Sequence, residues 1–115
     1  ILIVEDEEDL REFIKKILSE EGHEIIDCSS GNKAIEKIQE DGDFDLIITD
    51  VSMPDGSGED LIGFLMSLDR KYKIVTLTAY GSIMDPLLED DICGTMLKPF
   101  RKENLVEQVK FYLAS

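Results

Sequence analysis

Short runs of consecutive apolar residues alternate along this chain with segments whose apolar residues recur every three or four positions. The first run, ILIV at 1–4, is largely β-branched and predicts a strand buried on both faces. Leu10, Phe13, Ile14, Ile17 and Leu18 then trace one face of a helix that Gly22 stops. HEIIDC at 23–28 predicts a second strand, and Ala34, Ile35 and Ile38 mark a second helix ending near Gly42. FDLIIT at 44–49 predicts a third strand that closes on Asp50. A loop rich in Gly and Pro, SMPDGSG, follows. Ser57 is expected to cap the third helix, with Asp60 as a weaker capping-box partner. That helix carries Leu61, Ile62, Leu65 and Leu68. KIVTLT at 73–78 predicts a fourth strand. Asp85 as cap and Pro86 as first helical residue predict a short fourth helix ending before Gly94. TML at 95–97 predicts the fifth strand, and Leu105, Val106, Val109, Tyr112 and Leu113 the last helix.

Five strands alternating with five helices predict an α/β domain, a parallel sheet covered on both faces with right-handed crossovers. The length, 115 residues, suits one compact domain. The chain opens on a strand without an initiator Met, so residues 1–115 are expected to be a single domain excised from a longer protein. The formal charge is −14, from 26 acids against 12 Lys and Arg. That balance argues against nucleic acid or an anionic membrane as a direct partner. Cys28 and Cys93 stand far apart in apolar contexts and read as buried thiols in a reducing, cytoplasmic setting rather than a disulfide. No apolar run is long enough to span a bilayer, and no signal peptide is expected.

In a sheet of this kind ligands bind beyond the carboxyl ends of the strands. Strand one ends on Glu5 and Asp6, strand three on Asp50, strand four on Thr78, and strand five on Lys98. Taken singly, each has a bland reading. The acids suit the start of a helix, Asp50 a turn, Thr78 a strand and Lys98 a surface. Taken together, three acids, a hydroxyl and an ammonium meet at one edge of the sheet. Converging carboxylates call for a cation, and an oxygen-rich set suits Mg²⁺, with Mn²⁺ as its substitute. One carboxylate could then act as a nucleophile toward phosphorus. No Walker loop or dinucleotide fingerprint is present, so a phosphoprotein or small phosphodonor is expected rather than ATP. His23 begins strand two, away from this edge, where a surface or strand-end role is expected.

The stretches that carry these residues are VEDEEDLR at 4–11, DLIITDVSMPDGSG at 45–58, LTA at 77–79 and LKPF at 97–100. In this order and at these spacings the chain resembles the receiver domains of the two-component response-regulator family over essentially its whole length. The resemblance implies a flavodoxin-like doubly wound fold with strand order 2-1-3-4-5. It implies that Asp50 accepts a phosphoryl group from a histidine of a sensor kinase or a histidine phosphotransfer domain. Asp6 and Asp50 would hold Mg²⁺ directly, Glu5 through water, and Ser52 through its backbone carbonyl. Thr78 and Lys98 would meet phosphoryl oxygens, and the peptide before Pro99 would be cis. Ser52 and Tyr80 occupy positions that influence phosphoryl lifetime in the family.

The resemblance also implies a domain that promotes its own phosphorylation and dephosphorylation without being an enzyme in the ordinary sense. It would be a monomer or weak dimer. Thr95 departs from the family, which places Tyr or Phe three residues before the lysine. That departure bears on signal readout rather than on phosphorylation. Together with the Pro-started fourth helix, it makes the chain look more like receivers of hybrid sensor histidine kinases than like those of DNA-binding regulators. Two alternatives stand beside this reading. One is a phosphatase of the haloacid-dehalogenase type, although that group carries its nucleophile on the first strand in an Asp-x-Asp arrangement and residue 52 here is Ser. The other is a receiver-like interaction module that does not cycle phosphate.

Overall fold

A computed structural model of the chain describes residues 1–79 and 94–114. The expected fourth helix, with Tyr80 and Cys93, lies outside the described residues. The elements are β1 (Leu2–Val4), α1 (Glu8–Glu20), β2 (Ile26–Cys28), α2 (Gly31–Glu40), β3 (Ile47–Asp50), α3 (Ser57–Ser67), β4 (Ile74–Ala79), β5 (Gly94–Lys98) and α4 (Lys102–Ala114). The five strands form one parallel sheet in the order β2-β1-β3-β4-β5. This is the flavodoxin-like arrangement that the resemblance implied.

Successive side chains of a strand point to opposite faces, so β1, β3 and β4 each supply both layers of the core. Ile3, Ile48, Val75, Leu77 and Met96 pack with Ile14, Ile17 and Leu18 of α1 and with Leu105 and Val109 of α4. Leu2, Val4, Ile47 and Ile74 pack on the other face with Ala34 and Ile38 of α2 and Leu61, Ile62 and Leu65 of α3. Each fully buried Leu or Ile contributes about 1.5–3 kcal/mol. α1 ends where its sequence indicates. Gly22 takes a left-handed φ of 91°, and its N–H donates to the Ser19 carbonyl at 3.0 Å. Cys28 is a buried free thiol.

Several boundaries differ from the sequence expectation. β2 begins at Ile26 rather than residue 23, because β1 offers only Leu2, Ile3 and Val4 as pairing partners. β3 begins at Ile47, while Phe44 and Leu46 are buried ahead of it without belonging to the strand. β5 extends through Lys98, which pairs with Ala79. Phe13 leaves the packed face of α1 and is 41% exposed, since Ile14, Ile17 and Leu18 already fill the contact with the sheet. The capping expectation at Ser57 is overturned. Ser57 is the first helical residue of α3, and Gly56 precedes it at a left-handed φ of 74°. Gly56 is the N-cap, and Asp55 ahead of it accepts from the Ser57 N–H at 2.9 Å and from the Ser57 hydroxyl at 2.6 Å.

One sheet row is polar. Thr49, Thr76 and Thr95 lie side by side across β3, β4 and β5. Thr76 is wholly buried, and its hydroxyl lies 3.0 Å from that of Thr95. A buried hydroxyl needs a partner, and Thr95 provides it where an aromatic residue would not. Thr95→Val is therefore expected to destabilise the fold by about 1–3 kcal/mol. The double variant Thr76→Val/Thr95→Val removes both partners together and should recover most of that loss. Urea unfolding of the two single variants and the double variant checks this coupling.

Candidate functional site

The period of two along parallel strands builds the site. Glu5 follows Ile3 by two residues, Asp50 follows Ile48, and Lys98 follows Met96. Ile3, Ile48 and Met96 share one core layer, so the three polar residues continue that face, Glu5 just past the end of β1 and Asp50 and Lys98 as the last residues of β3 and β5. Lys98 Nζ donates to Glu5 Oε1 and to Asp50 Oδ2, each at 2.9 Å. Asp50 Oδ1 accepts the Ser52 N–H at 2.9 Å. Glu5 is wholly buried and Asp50 is 5% exposed, whereas Asp6 is exposed. The Lys98–Pro99 peptide is cis.

One carboxylate oxygen from each of Glu5, Asp6 and Asp50 lies within 4.8 Å of the other two. Three carboxylates face one ammonium, which leaves an excess of negative charge at a mostly buried place. Glu5 Oε2 is buried and has no hydrogen-bond partner among the described residues. Such an oxygen is costly unless a proton or a cation satisfies it. Burial, followed by the Asp50 charge, pushes the Glu5 carboxyl up to about 7, although the Lys98 hydrogen bond and charge pull the other way. Burial also opposes the Lys98 charge, but the hydrogen bonds to Glu5 and Asp50 outweigh it and raise the ammonium above its ordinary value. The donor set is all oxygen, anionic and only partly neutralised. It fits a hard divalent cation.

Thr78 lies on the opposite face, two residues beyond Thr76. Its hydroxyl donates to the Ala79 carbonyl at 3.3 Å and does not join the Lys98 pair. Ser52 reaches the site through its N–H, with its side chain exposed. Thr95 is exposed on β5 and bonded to Thr76 rather than to the acids. His23 lies beside Ile1, Phe44 and Asp45, at the amino ends of the strands and therefore opposite the site. Tyr80 falls outside the described residues.

Sequence reasoning missed Arg11. Its guanidinium donates to the Glu5 carbonyl at 2.9 Å and to Asp27 Oδ2 at 3.1 Å, tying α1 and β2 to the end of β1. The only signal in the sequence was its place at the end of VEDEEDLR, one turn into the first helix.

A five-stranded parallel sheet in this order, with acids and a lysine at its carboxyl edge, defines a receiver-type α/β domain. Residues 1–110 match the family described as the response regulator receiver domain, and the chain belongs to that family. The chain is 30% identical over 112 residues to the response regulator receiver protein CpdR of Brucella abortus, covering 96% of this chain and 92% of that protein. It is 34% identical over 115 residues to the transcriptional regulatory protein CusR of Escherichia coli K12, covering 98% of this chain but only 50% of that protein. Among solved structures, a CheY-like receiver domain protein from Methanospirillum hungatei superposes with a TM-score of 0.89 at 31% identity, covering 98% of this chain and 92% of that one. The dehalogenase-type alternative gains no support from these matches. Among the described residues no helix is long and apolar enough to cross a membrane.

The raised Glu5 carboxyl has a consequence for stability. Its folded value is about 7, above the ordinary glutamate value of about 4.3. Between these two the folded protein holds more protons than the unfolded one, so stability falls as pH rises. The metal-free protein should therefore lose stability from about pH 5 to about pH 8, and Glu5→Gln should flatten that part of the profile. Urea midpoints measured across this range in the presence of a chelator check it.

Proposed function

We propose that Asp50 is the phosphoacceptor of this receiver domain and takes its phosphoryl group from a phosphohistidine on a sensor kinase or histidine phosphotransfer protein. The observation that carries this reading is the placement of Asp50. It is a buried carboxylate held between the Lys98 ammonium and the Ser52 N–H, beside Glu5 and Asp6. A relative 26% identical to this chain is named sporulation initiation phosphotransferase F, from Bacillus subtilis, which supports phosphoryl transfer as the chemistry.

A carboxylate oxygen of Asp50 attacks phosphorus, the P–N bond to the donor imidazole breaks, and its electron pair stays on the ring nitrogen, which takes a proton from solvent. Hydrolysis returns the system. Water attacks phosphorus, the bond between phosphorus and the Asp50 oxygen breaks, and orthophosphate leaves with the carboxylate restored. Asp6, Asp50 and the Ser52 carbonyl would hold Mg²⁺, with Glu5 acting through water. Bound there, the ion would offset the charge of the carboxylates and of the incoming phosphoryl oxygens.

Lys98 stands ready to pair with a phosphoryl oxygen because it already meets Asp50. Thr78 must leave the Ala79 carbonyl to donate to another oxygen, and that exchange is our candidate for the conformational step. Ser52 and Tyr80 tune phosphoryl lifetime. No separate substrate is turned over, so the domain acts as a switch that completes its own chemistry. On the resemblance alone, we place its parentage with hybrid sensor histidine kinases, with this domain on the cytoplasmic side.

Incubation with Mg²⁺ and acetyl phosphate should add one phosphoryl group by intact mass. Asp50→Asn or a chelator should abolish the adduct, and Lys98→Ala should slow its formation by about 100-fold. Wild-type protein that gains no mass with any phosphodonor would refute the assignment.

A further inference from the structure

The starts of α2 and α3 touch through their backbones. The Gly31 N–H donates to Ser57 Oγ at 2.8 Å, and the Ser57 hydroxyl donates to Asp55 Oδ1 at 2.6 Å. Ser57 is wholly buried. A Cβ on Gly31 would stand 1.9 Å from the Ser57 carbonyl oxygen, so only glycine permits this approach. A Cβ on Gly58 would stand 2.7 Å from the Asp50 carbonyl oxygen and 2.5 Å from that of Val51. The first turn of α2, the first turn of α3 and the backbone of Asp50 are thus in direct series. The loop between Asp50 and Ser57 has one end fixed by the Ser52 N–H on Asp50 Oδ1. Its other end is fixed by Asp55 on Ser57.

We propose that Ser57 is a positioning residue for the phosphoacceptor site: the Gly31–Ser57–Asp55 hydrogen-bond chain fixes the β3–α3 loop, and so places the Asp50 carboxylate and the Ser52 peptide. Ser57 touches neither the Asp50 carboxylate nor Lys98. It acts through the loop. This inference rests on the reading of Asp50 as the phosphoacceptor. Its physical basis is the small tolerance of such a site. The carboxylates must converge on one cation, and a displacement of about 1 Å costs about 100-fold in a positioned reaction. A helix start that could shift would carry Gly58, and with it the Asp50 carbonyl, out of place.

The test uses the whole chain and two readouts: Mg²⁺ affinity by calorimetry without phosphodonor, and the rate of phosphorylation by acetyl phosphate. Ser57→Ala removes the central hydroxyl. Asp55→Ala removes its acceptor from an exposed loop, which keeps the test alive if the buried variant does not fold. Ile38→Val, in the core of α2 and away from these contacts, serves as a control for loss of stability alone. Both test variants are expected to weaken Mg²⁺ binding and slow phosphorylation by about 10-fold or more. The control should lower the unfolding midpoint and leave both readouts unchanged. Wild-type Mg²⁺ affinity and rate in Ser57→Ala, or in Asp55→Ala where Ser57→Ala does not fold, would overturn the proposal. So would equal losses in Ile38→Val. Failure of wild type to take up phosphate would instead overturn the phosphoacceptor reading, and Mg²⁺ affinity would still decide the role of Ser57.

Discussion

The ammonium of Lys98 holds together carboxylates that would otherwise repel. It reaches Asp50 across 48 residues of sequence and Glu5 across 93. β5 and β1 are not neighbours in the sheet, since β3 and β4 lie between them. The lysine therefore joins the site across the sheet, where no backbone pairing could. A buried ion pair of this kind adds little net stability, because desolvation consumes most of the attraction. Its value lies in placement. One cation bonded to two acids sets the distance between them and defines which oxygens remain available.

The rest of the site depends on the same compromise. Glu5 is buried with one oxygen unsatisfied, and burial raises its carboxyl toward neutrality. A fold optimised for stability alone would not keep that oxygen there. The neighbouring sheet row follows the opposite logic. Thr76 is equally buried, but Thr95 satisfies its hydroxyl, and the pair stays quiet within the sheet. Among the described residues the unsatisfied buried side-chain oxygen, Glu5 Oε2, lies at the carboxyl edge, where a ligand can complete it.

Much of this is legible in the sequence. Apolar runs located all five strands, most plainly β1 and β3, which are buried along their whole length and so leave continuous hydrophobic stretches. Asp50 and Lys98 stood out because each ends such a run. The errors share one cause. The length of β2 was set by β1, not by its own residues. Phe13 has the right spacing for the buried face of α1, yet its neighbours take the space. Ser57 looked like a cap because it precedes an apolar helix. It is instead a buried link to Gly31, a residue 26 positions earlier that no local pattern could connect with it. Arg11 resembled any exposed helical cation until its partners were known.

By itself the sequence determined the order of the described elements and the strand ends that could carry chemistry. These depend on local spacing, and the periods of two and 3.6 are properties of the backbone. Only the tertiary structure decided which of those strand ends meet. Residue parity set Glu5, Asp50 and Lys98 on one face and turned Thr78 to the other. Whether the Glu5 oxygen has a partner, or the first turns of two helices touch, depends on packing between segments distant in sequence. Desolvation and steric exclusion act on that proximity, whatever the separation along the chain.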